Sequence, residues 1–437
     1  MRYLLLQSIS GCSYLNNFNK LKFHISGSID ESVSSEIIKI THKFIKKLVI
    51  EILKRNGRLI ITFGAEPKKD ELSLIFDYTI IEGIEEFYLN NSNEEKSLVS
   101  TFLYHSYRKK IPALRERLVS NFLKYEFVRI KELPQLSSFG GKLRSELAKI
   151  TDVIIILGGT LGVNDLVENC HQENKIILPL NIDLGRPGAL KCIDMINNGS
   201  LILYPSNIRE YAISEINKFC LKTESNIEEL IEKVLHLTLM LIEEKGEEII
   251  KLIMKDLKSL QEKNRAIKPD ENKYSIILVE FLRRSLKSLG YFPHTQEPSG
   301  KTKIGYDDRA IQGGMGELDI RIVDKNNELM HICETLILTY LNTSVISEHL
   351  NKIFDYDCNG LPVNIIVVYS KADDFYSLWI KYLDFLSKFN WNYPLVDTNI
   401  EDISEKRDFP AEIKLALTRH HREGVICKIY HFFVNLN

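Results

Sequence analysis

The 437-residue sequence lacks paired cysteines, an excess of one charge and long hydrophobic runs. Its seven cysteines include no C-x-x-C pair, which argues against a disulfide framework and against a zinc ribbon. Lys and Arg total 57 against 59 Asp and Glu, so no overall positive charge indicates nucleic acid or an anionic membrane as a partner. Binding to nucleic acid or to an anionic membrane would need a local patch of positive charge.

The longest apolar runs, 153–157 and 365–369, have the length of strands and fall far short of the roughly 20 residues that a membrane-spanning helix needs. The first residues turn polar too early to form a signal peptide. We therefore expect a soluble, cytoplasmic protein with no membrane partner. With 44% apolar and 27% charged residues, a globular chain of this length is expected to contain more than one domain.

Residues 20–205 alternate between short apolar strands and amphipathic helices, which is typical of an open α/β sheet. Strands are predicted at 21–25, 58–63, 126–130, 152–157 and 175–180, and helices at 37–50 and 143–150. Because these strands are apolar on both faces, they fit a parallel sheet that is covered by helices on both sides. The fold class predicted for domain 1–205 is therefore α/β with a Rossmann-like parallel sheet.

Three of the predicted strands end in glycine-containing loops. At the carboxyl ends of parallel strands, such loops let backbone N–H groups approach a phosphate. They indicate a nucleotide-derived ligand, unless the glycines serve only the tight turns. The candidate ligand-binding residues in these loops are Gly27, Ser28, Gly64, Gly158, Gly159, Thr160 and Gly162.

The loops resemble those of the SLOG superfamily, which includes LOG-type phosphoribohydrolases and STALD sensor domains. The matching pieces are Ile25-Ser26-Gly27-Ser28, Thr62-Phe63-Gly64-Ala65, Arg144 and the segment 156–162. The catalytic LOG pattern is P-G-G-x-G-T-x-x-E, in which the glutamate supports N-glycoside cleavage. In this sequence Leu157 replaces the proline, the third glycine comes one place late at Gly162, and we interpret the acid, Asp165 or Glu168, as out of register.

A glycosidase needs its carboxylate placed to within about an ångström, so this departure favours a sensor over an enzyme. The resemblance to STALD domains implies a ligand of the ADP-ribose type. Arg144 is the predicted phosphate partner. The alternative for Arg144 is a surface salt bridge to Glu146 or to another helix acid.

Residues 206–268 are rich in charge and carry apolar residues at spacings of three and four. This stripe predicts a helical connector or a dimerising helix pair, and hence a homo-oligomer. The alternative is a solvated amphipathic helix that packs on its own domain. Pro269 lies at the predicted boundary with a third segment, 269–437.

The third segment has a second α/β pattern. Helices are predicted at 274–289, 343–354 and 374–389, and strands at 316–324, 329–338 and 363–369. Asp319 and Glu334 lie on the two strands of a predicted hairpin. Two facing acids on a buried hairpin are costly unless they hold a cation or a proton. We therefore predict a Mg²⁺ or Mn²⁺ ion bound by Asp319 and Glu334, although Asp319 alone is also compatible with a solvated strand position.

The segment G-E-L-D-I-R-I at 316–322 resembles the PD-(D/E)XK restriction-endonuclease-like superfamily, and the match covers most of 271–390. The resemblance implies a restriction-endonuclease-like α/β domain that cleaves DNA or RNA with a metal ion. It implies Asp319 and Glu334 as catalytic acids, and Glu280 as the extra acid of the first helix.

The lysine of the family's E-x-K motif is missing, because the residues here are Glu334-Thr335-Leu336. That lysine normally orients the attacking water and offsets charge in the transition state. Lys352 is the first candidate to replace it catalytically and Lys303 the second. If neither lysine replaces it, the domain no longer cleaves nucleic acid. His349 is interpreted either as a phosphate contact or as an ordinary surface residue. The basic cluster 419–422 predicts a solvated turn, with a contact to DNA or RNA as the alternative.

Together, the resemblances imply a bacterial anti-phage effector in which a nucleotide-sensing domain controls a nuclease-like domain. A first alternative makes the N-terminal domain a hydrolase of a nucleotide or NAD-like N-glycoside, and the C-terminal domain an inactive module that binds nucleic acid or protein. A second alternative is a non-enzymatic, ligand-gated scaffold.

Overall fold

The computed structural model describes residues 18, 21–63, 65–90, 99–104, 111–125, 128–133, 139–201, 208–221, 223–264, 271–298, 317–325, 327–357, 360–396, 400–404, 412–422 and 425–437. The chain divides into two compact units, Met1–Lys245 and Gly246–Asn437. The first contains a parallel sheet and the second a mixed sheet, which confirms the predicted α/β class. The domain boundaries expected near 205 and 268 stay predictions.

A six-stranded parallel sheet forms the centre of the first unit. The strands of this unit are β1 (Lys22–Ser28), β2 (Arg58–Thr62), β3 (Lys68–Lys69), β4 (Leu72–Ser73), β5 (Val99–Tyr104), β6 (Val128–Leu133), β7 (Val153–Gly158) and β8 (Ile176–Pro179). The order across the sheet is β6-β5-β2-β1-β7-β8, while β3 and β4 pair separately. The strand order therefore reverses between β1 and β7, which is where open α/β sheets leave a crevice at the carboxyl ends of their strands.

Helices connect and cover these strands. They are α1 (Ser35–Lys54), α2 (Asp77–Asn90), α3 (Ala113–Phe122), α4 (Phe139–Ile150), α5 (Leu161–Gln172), α6 (Gly188–Asn197), α7 (Arg209–Asn217) and α8 (Ile227–Asn264), of which residues 227–245 belong to this unit. Every residue of β7 is buried, as expected for a strand with helices on both faces. Helix α1 begins after Ser34, whose hydroxyl accepts a hydrogen bond from the backbone N–H of Ile37 at 3.4 Å and caps the helix.

The apolar stripe predicted in the middle of the chain lies on α8. Its residues Leu230, Val234, Leu237 and Leu241 are buried in the hydrophobic core of the first unit. A buried stripe is not available for pairing with another helix. The structure thus favours the alternative of an amphipathic helix packed on its own domain, and a homo-oligomer stays a prediction. No described helix combines the length and the apolar composition that crossing a bilayer requires.

The second unit is built on a seven-stranded mixed sheet. Its elements are α9 (Glu271–Ser285), a 3₁₀ turn (Leu286–Leu289), β9 (Tyr291–Pro298), β10 (Glu317–Asp324), β11 (Leu329–Leu338), α10 (Thr343–Tyr356), β12 (Val363–Ser370), α11 (Phe375–Lys388), β13 (Glu401–Asp402), β14 (Ile413–Arg422) and β15 (Val425–Asn435). The order is β13-β14-β15-β12-β11-β10-β9. Strands β9, β10 and β11 are antiparallel neighbours, and β12 runs parallel to β11 and β15.

The predicted solvated turn at 419–422 is wrong, because these residues lie in β14, which pairs with β15 along its length. His420 is fully buried. Its ring nitrogens lie 3.1 Å from the carbonyl oxygen of Tyr393 and 2.9 Å from the hydroxyl of Thr418. These hydrogen bonds offset the cost of removing a polar ring from water.

Candidate functional site

The glycine loops of β1 and β7 meet where the strand order reverses. In the parallel register, Gly27 pairs with Leu157 and Ser28 pairs with Gly158. The backbone N–H of Gly159 donates to the carbonyl oxygen of Ser28 at 3.0 Å. Two of the three predicted loops are therefore side by side at the carboxyl edge of the sheet. Gly64 lies outside the described residues.

The protein's own packing demands glycine at three of these positions. A side chain on Gly27, at φ +148°, would overlap the carbonyl oxygen of Leu157. One on Gly158, at φ +56°, would overlap the carbonyl oxygen of Ser28. One on Gly159, at φ +83°, would overlap Val163. The glycines thus serve the turns themselves, and evidence for a ligand has to come from neighbouring side chains.

Helix α5 begins directly after the second glycine loop. Thr160 is its N-cap residue, and its side chain makes no capping hydrogen bond within the described part of the chain. The first turn of α5 also carries no acidic residue. The backbone N–H groups and the positive end of the helix dipole at this terminus are suited to an anion.

Arg144 on α4 reaches this terminus. Its Nη2 lies 2.6 Å from the carboxylate of Asp165 on α5, and a Cβ on Gly162 would stand 3.4 Å from its Nη1. Its Nε is buried and has no hydrogen-bond partner among the described residues. Of the two alternatives for Arg144, the structure shows the salt bridge to a helix acid, which is Asp165 on α5. Glu146 pairs with Lys149 at 2.8 Å.

Asp165 stands at the position of the catalytic acid when residues are counted from the first glycine of the motif. Asp165 follows Gly158 by seven residues, which is the separation between the first glycine and the glutamate in P-G-G-x-G-T-x-x-E. The interpretation of this acid as out of register, which was based on the late glycine at Gly162, is wrong. Glu168 is exposed further along the same helix.

Two further acids lie after the carboxyl ends of strands, and the sequence analysis missed both. Asp30, after β1, pairs with Arg186 at 3.0 Å, and hydrogen bonds from the backbone and side chain of Ser32 hold the pKa of Asp30 below its usual value. Glu66, after β2, has a buried side chain that Arg115 holds at 2.8 Å. Their position directly after a strand was the available signal.

A second cluster lies in the C-terminal unit. Asp319, Glu334 and His349 each offer a possible metal-ligand atom, and these atoms all lie within 4.8 Å of one another. Burial raises the pKa of Glu334 to about 7, and the charge of Asp319 adds to the rise although the hydrogen bond from His349 opposes it. Burial acts to lower the pKa of His349, but its contact with Glu334 outweighs burial and raises that pKa. His349 is buried, which excludes the surface interpretation.

Three more candidates were predicted for this unit, and the structure describes two of them. Lys352 lies on α10, three residues after His349, and its ammonium contacts Glu348 at 3.0 Å while its charge acts on Glu334. Glu280 is exposed on α9 and pairs with Arg283. Lys303 falls outside the described residues.

One family of known proteins matches residues of the first unit. The family model described as "ATP nucleosidase Cap17-like, N-terminal" matches residues 18–238. Two curated relatives, both named ATP nucleosidase Cap17 and both from Escherichia coli, one of them strain KTE188, are 26% identical over 172 residues. These matches cover 39% of this chain and 34% of each relative, so the chain spans about a third of the length of the curated relatives.

One solved structure, the X-ray structure of the structural-genomics target TM1055, also resembles the chain. It is 11% identical with a TM-score of 0.29, and the alignment covers 49% of this chain and 99% of that one.

The family match contradicts the expected effector in which the N-terminal domain senses a nucleotide and controls a nuclease. The matched residues include both described glycine loops, Arg144 and Asp165, and the curated relatives are named nucleosidases. This finding favours the first alternative, an N-glycoside hydrolase in the N-terminal domain. With half of its length matched, the chain belongs to the family of ATP nucleosidase Cap17-like N-terminal domains.

Proposed function

We propose that the first unit hydrolyses the N-glycosidic bond of a purine nucleotide, with ATP as the first substrate to test. The observation that carries this proposal is the ion pair between Arg144 and Asp165 beside the glycine turn at the reversal of strand order. The name of the curated relatives supports the choice of ATP.

In this reaction, water adds to C1′ of the ribose and the bond from C1′ to the base nitrogen breaks. Positive charge develops on the ribose in an oxocarbenium-like transition state, which a nearby carboxylate stabilises. In the proposal, Asp165 is that carboxylate and accepts the proton of the attacking water. The base leaves with a proton from solvent, and the products are adenine and ribose 5-triphosphate.

Arg144 has two tasks in this proposal. Its contact with Asp165, at 2.6 Å, holds the carboxylate in one orientation. Its remaining N–H groups, together with the start of α5, bind phosphate oxygens. Gly162 next to the guanidinium leaves room for this approach.

The test measures free adenine released from ATP by the full chain, with chromatography of the products. Asp165→Asn keeps the shape of the side chain and removes its charge, and we expect it to lower turnover by about 10² to 10⁴. Glu168→Gln is the matched control, because this exposed acid of α5 should leave turnover unchanged. Full adenine release by Asp165→Asn would assign the carboxylate elsewhere, and ATP binding without any release would refute hydrolysis.

Binding is tested separately by calorimetry in the Asp165→Asn background, which does not consume the nucleotide. Adding Arg144→Ala should weaken ATP binding by about 10- to 100-fold, as expected for the loss of charge-assisted hydrogen bonds. Lys149→Ala on the same helix removes a positive charge that pairs with Glu146, and serves as the control. Equal affinities of the two variants would exclude Arg144 from the phosphate site.

For the second unit, we propose a PD-(D/E)XK-like fold that binds nucleic acid without cutting it. The order α9, β9, β10, β11, α10, β12 supports the fold, and the missing lysine at Glu334-Thr335-Leu336 supports the loss of cutting. Gel-shift assays of the full chain with labelled DNA and RNA in EDTA test the binding. No shift with either polymer would favour the protein-binding alternative.

A further inference from the structure

The loop between β8 and α6 crosses the carboxyl end of β7 and contacts both glycine loops. The backbone N–H of Asp30, after β1, donates to the carbonyl oxygen of Leu184 at 2.9 Å. The backbone N–H of Gly188 donates to the carbonyl oxygen of Gly159 at 2.9 Å. Because β7 lies between β1 and β8 in the sheet, these two contacts bring the loop over the reversal of strand order. Arg186 lies in this loop, between the two points of contact.

The backbone on each side of Arg186 is packed closely against its neighbours. A Cβ on Gly188 would stand 2.7 Å from the carbonyl oxygen of Gly158. A Cβ on Gly185, at φ +67°, would stand 2.6 Å from the Cβ of Asp30. Because neither position has room for a side chain, both glycines let the loop lie directly on the residues beneath it. The backbone that carries Arg186 is therefore held in one place.

The guanidinium of Arg186 lies beside an acid and keeps its hydrogen-bond donors. Its Nε lies 3.0 Å from Oδ2 of Asp30, and the two side chains are 36% and 28% exposed. None of its nitrogens makes a hydrogen bond to the residues that the structure describes. Asp30 is itself oriented, because its Oδ1 accepts the backbone N–H of Ser32 at 3.0 Å. An ion pair with this exposure adds little to stability, and it leaves the Nη groups of Arg186 available to a ligand.

Two arginines thus border the same glycine turn from different elements. Arg144 lies beside Gly162 and pairs with Asp165, whereas Arg186 comes from the loop before α6. Guanidinium groups bind phosphate oxygens through charge-assisted hydrogen bonds. Since Asp165 is the carboxylate proposed to act at C1′, Arg144 meets the phosphate nearest the ribose. A monophosphate would then occupy Arg144 alone, and only a longer phosphate chain would also reach Arg186.

We propose that Arg186 binds the outer phosphates of the nucleotide and makes the first unit select a nucleoside triphosphate over the monophosphate, with Asp30 as the residue that positions Arg186. This inference rests on the proposed nucleotide site of the first unit, but not on cleavage of the nucleotide there. Asp30 holds the guanidinium from its Nε side, so that the two Nη groups form the fork that takes phosphate oxygens.

Calorimetry of the full chain in the Asp165→Asn background measures the affinities for ATP and AMP. ATP should bind at least about tenfold more tightly than AMP. Arg186→Gln should weaken ATP binding by about 10- to 100-fold, as expected for the loss of charge-assisted hydrogen bonds, and AMP binding by less than about threefold. Arg117→Gln removes an exposed arginine of α3 and is the matched control, which should change neither affinity. Equal weakening of ATP and AMP binding, or unchanged ATP binding, in Arg186→Gln would overturn the proposal.

Asp30→Asn tests the positioning residue, because it keeps the shape of the side chain and removes its charge. It should lower the ratio of ATP affinity to AMP affinity by about 3- to 10-fold. A purely structural role of the pair would lower the melting temperature, which is measured for every variant, and would leave this ratio unchanged. An unchanged ratio would therefore refute the positioning role of Asp30.

Adenine release by the unsubstituted chain is measured beside binding and separates this inference from the proposed hydrolysis. Release of adenine from ATP, together with an ATP affinity that Arg186→Gln leaves unchanged, would overturn only the role of Arg186. No release, together with an ATP affinity that depends on Arg186, would refute only the hydrolysis. Absence of any nucleotide binding would overturn both.

Discussion

Gly27 lies against the carbonyl oxygen of Leu157, its register partner on the neighbouring strand, and leaves no space for a Cβ atom. Its φ of +148° is also one that side chains rarely adopt. The pairing of β1 with β7 at the reversal of strand order therefore depends on a close approach of two backbones, which constrains every substitution at Gly27.

We expect Gly27→Ala to lower the free energy of unfolding by roughly 3 kcal/mol or more, because the new methyl group must push β1 and β7 apart. Urea unfolding followed by circular dichroism measures the change. Gly141→Ala is the control, since no atom of the described residues lies within 4 Å of its Cβ position in α4, and it should gain about 0.5 to 1 kcal/mol. Parent-like stability of Gly27→Ala would show that the strands accommodate a side chain.

Two buried histidines of the second unit share one hydroxyl. His431 and His420 both hydrogen-bond the Thr418 side chain, at 3.0 and 2.9 Å, and His431 also contacts the Tyr382 hydroxyl at 3.0 Å. Burial, followed by the charge of His420, lowers the pKa of His431 to about 3. Burial lowers the pKa of His420 to about 4, against a smaller opposing effect of its hydrogen bond to Tyr393. Both rings are therefore neutral in the folded protein at neutral pH.

From these pKa values we expect the second unit to lose stability as the pH falls from about 6.5 towards 4. In this pH range the two histidines bind protons in the unfolded chain and not in the folded chain. Each histidine therefore lowers the free energy of unfolding by about 1.4 kcal/mol for each pH unit that the pH falls. His431→Gln removes one of the two histidines, so the slope of the unfolding free energy against pH should fall by about 1.4 kcal/mol per pH unit. This change in slope does not depend on how the substitution alters stability at pH 7. Urea unfolding at pH 7, 6, 5 and 4.5 measures both slopes, and identical slopes would contradict the expectation.

Asp357 and Arg422 form a buried ion pair. The Asp357 side chain is fully buried, accepts the backbone N–H of Leu361 at 2.8 Å, and lies 2.7 Å from Nη1 of Arg422. Arg422→Met would leave the carboxylate without its partner, and we expect a loss of about 3 to 5 kcal/mol in the free energy of unfolding. Arg419→Met removes a pair with Glu401 that is about a third exposed, and should cost at most about 1 kcal/mol. Equal losses in the two variants would contradict this ranking.

The strands with continuous apolar runs were predictable from the sequence. β11 lies over the predicted residues 329–338, and β12 differs from its prediction by one residue, because apolar runs of strand length have few other structures to form. β9 was missed. It contains Pro293 and ends at Pro298, which fits its place at the edge of the sheet, where the missing N–H groups of proline are tolerated.

Long-range pairs were beyond the sequence analysis. Arg419, His420 and His421 follow one another in β14, and three polar residues in a row are typical of a turn. His420 is nevertheless buried, because its ring hydrogen-bonds with Tyr393 and Thr418, and the sequence does not reveal these partners. Arg144 was identified from a resemblance, but its partner is 21 residues away on another helix. His349 was left undecided, because its burial against Glu334 depends on how α10 packs on the sheet.

A chain of two hydroxyl hydrogen bonds connects Ser275 on α9 with the carboxylate of Asp319. The Thr335 hydroxyl donates to Asp319, so its oxygen accepts at 2.9 Å from the Ser275 hydroxyl of α9. Because each hydroxyl has one proton to donate, both hydrogen bonds run in the same direction, from Ser275 to Thr335 and from Thr335 to Asp319. A shift of α9 would remove the donor that fixes the Thr335 hydroxyl, and the backbone N–H of Thr335, at 2.7 Å, would then be the hydrogen bond that keeps the Asp319 carboxylate in place.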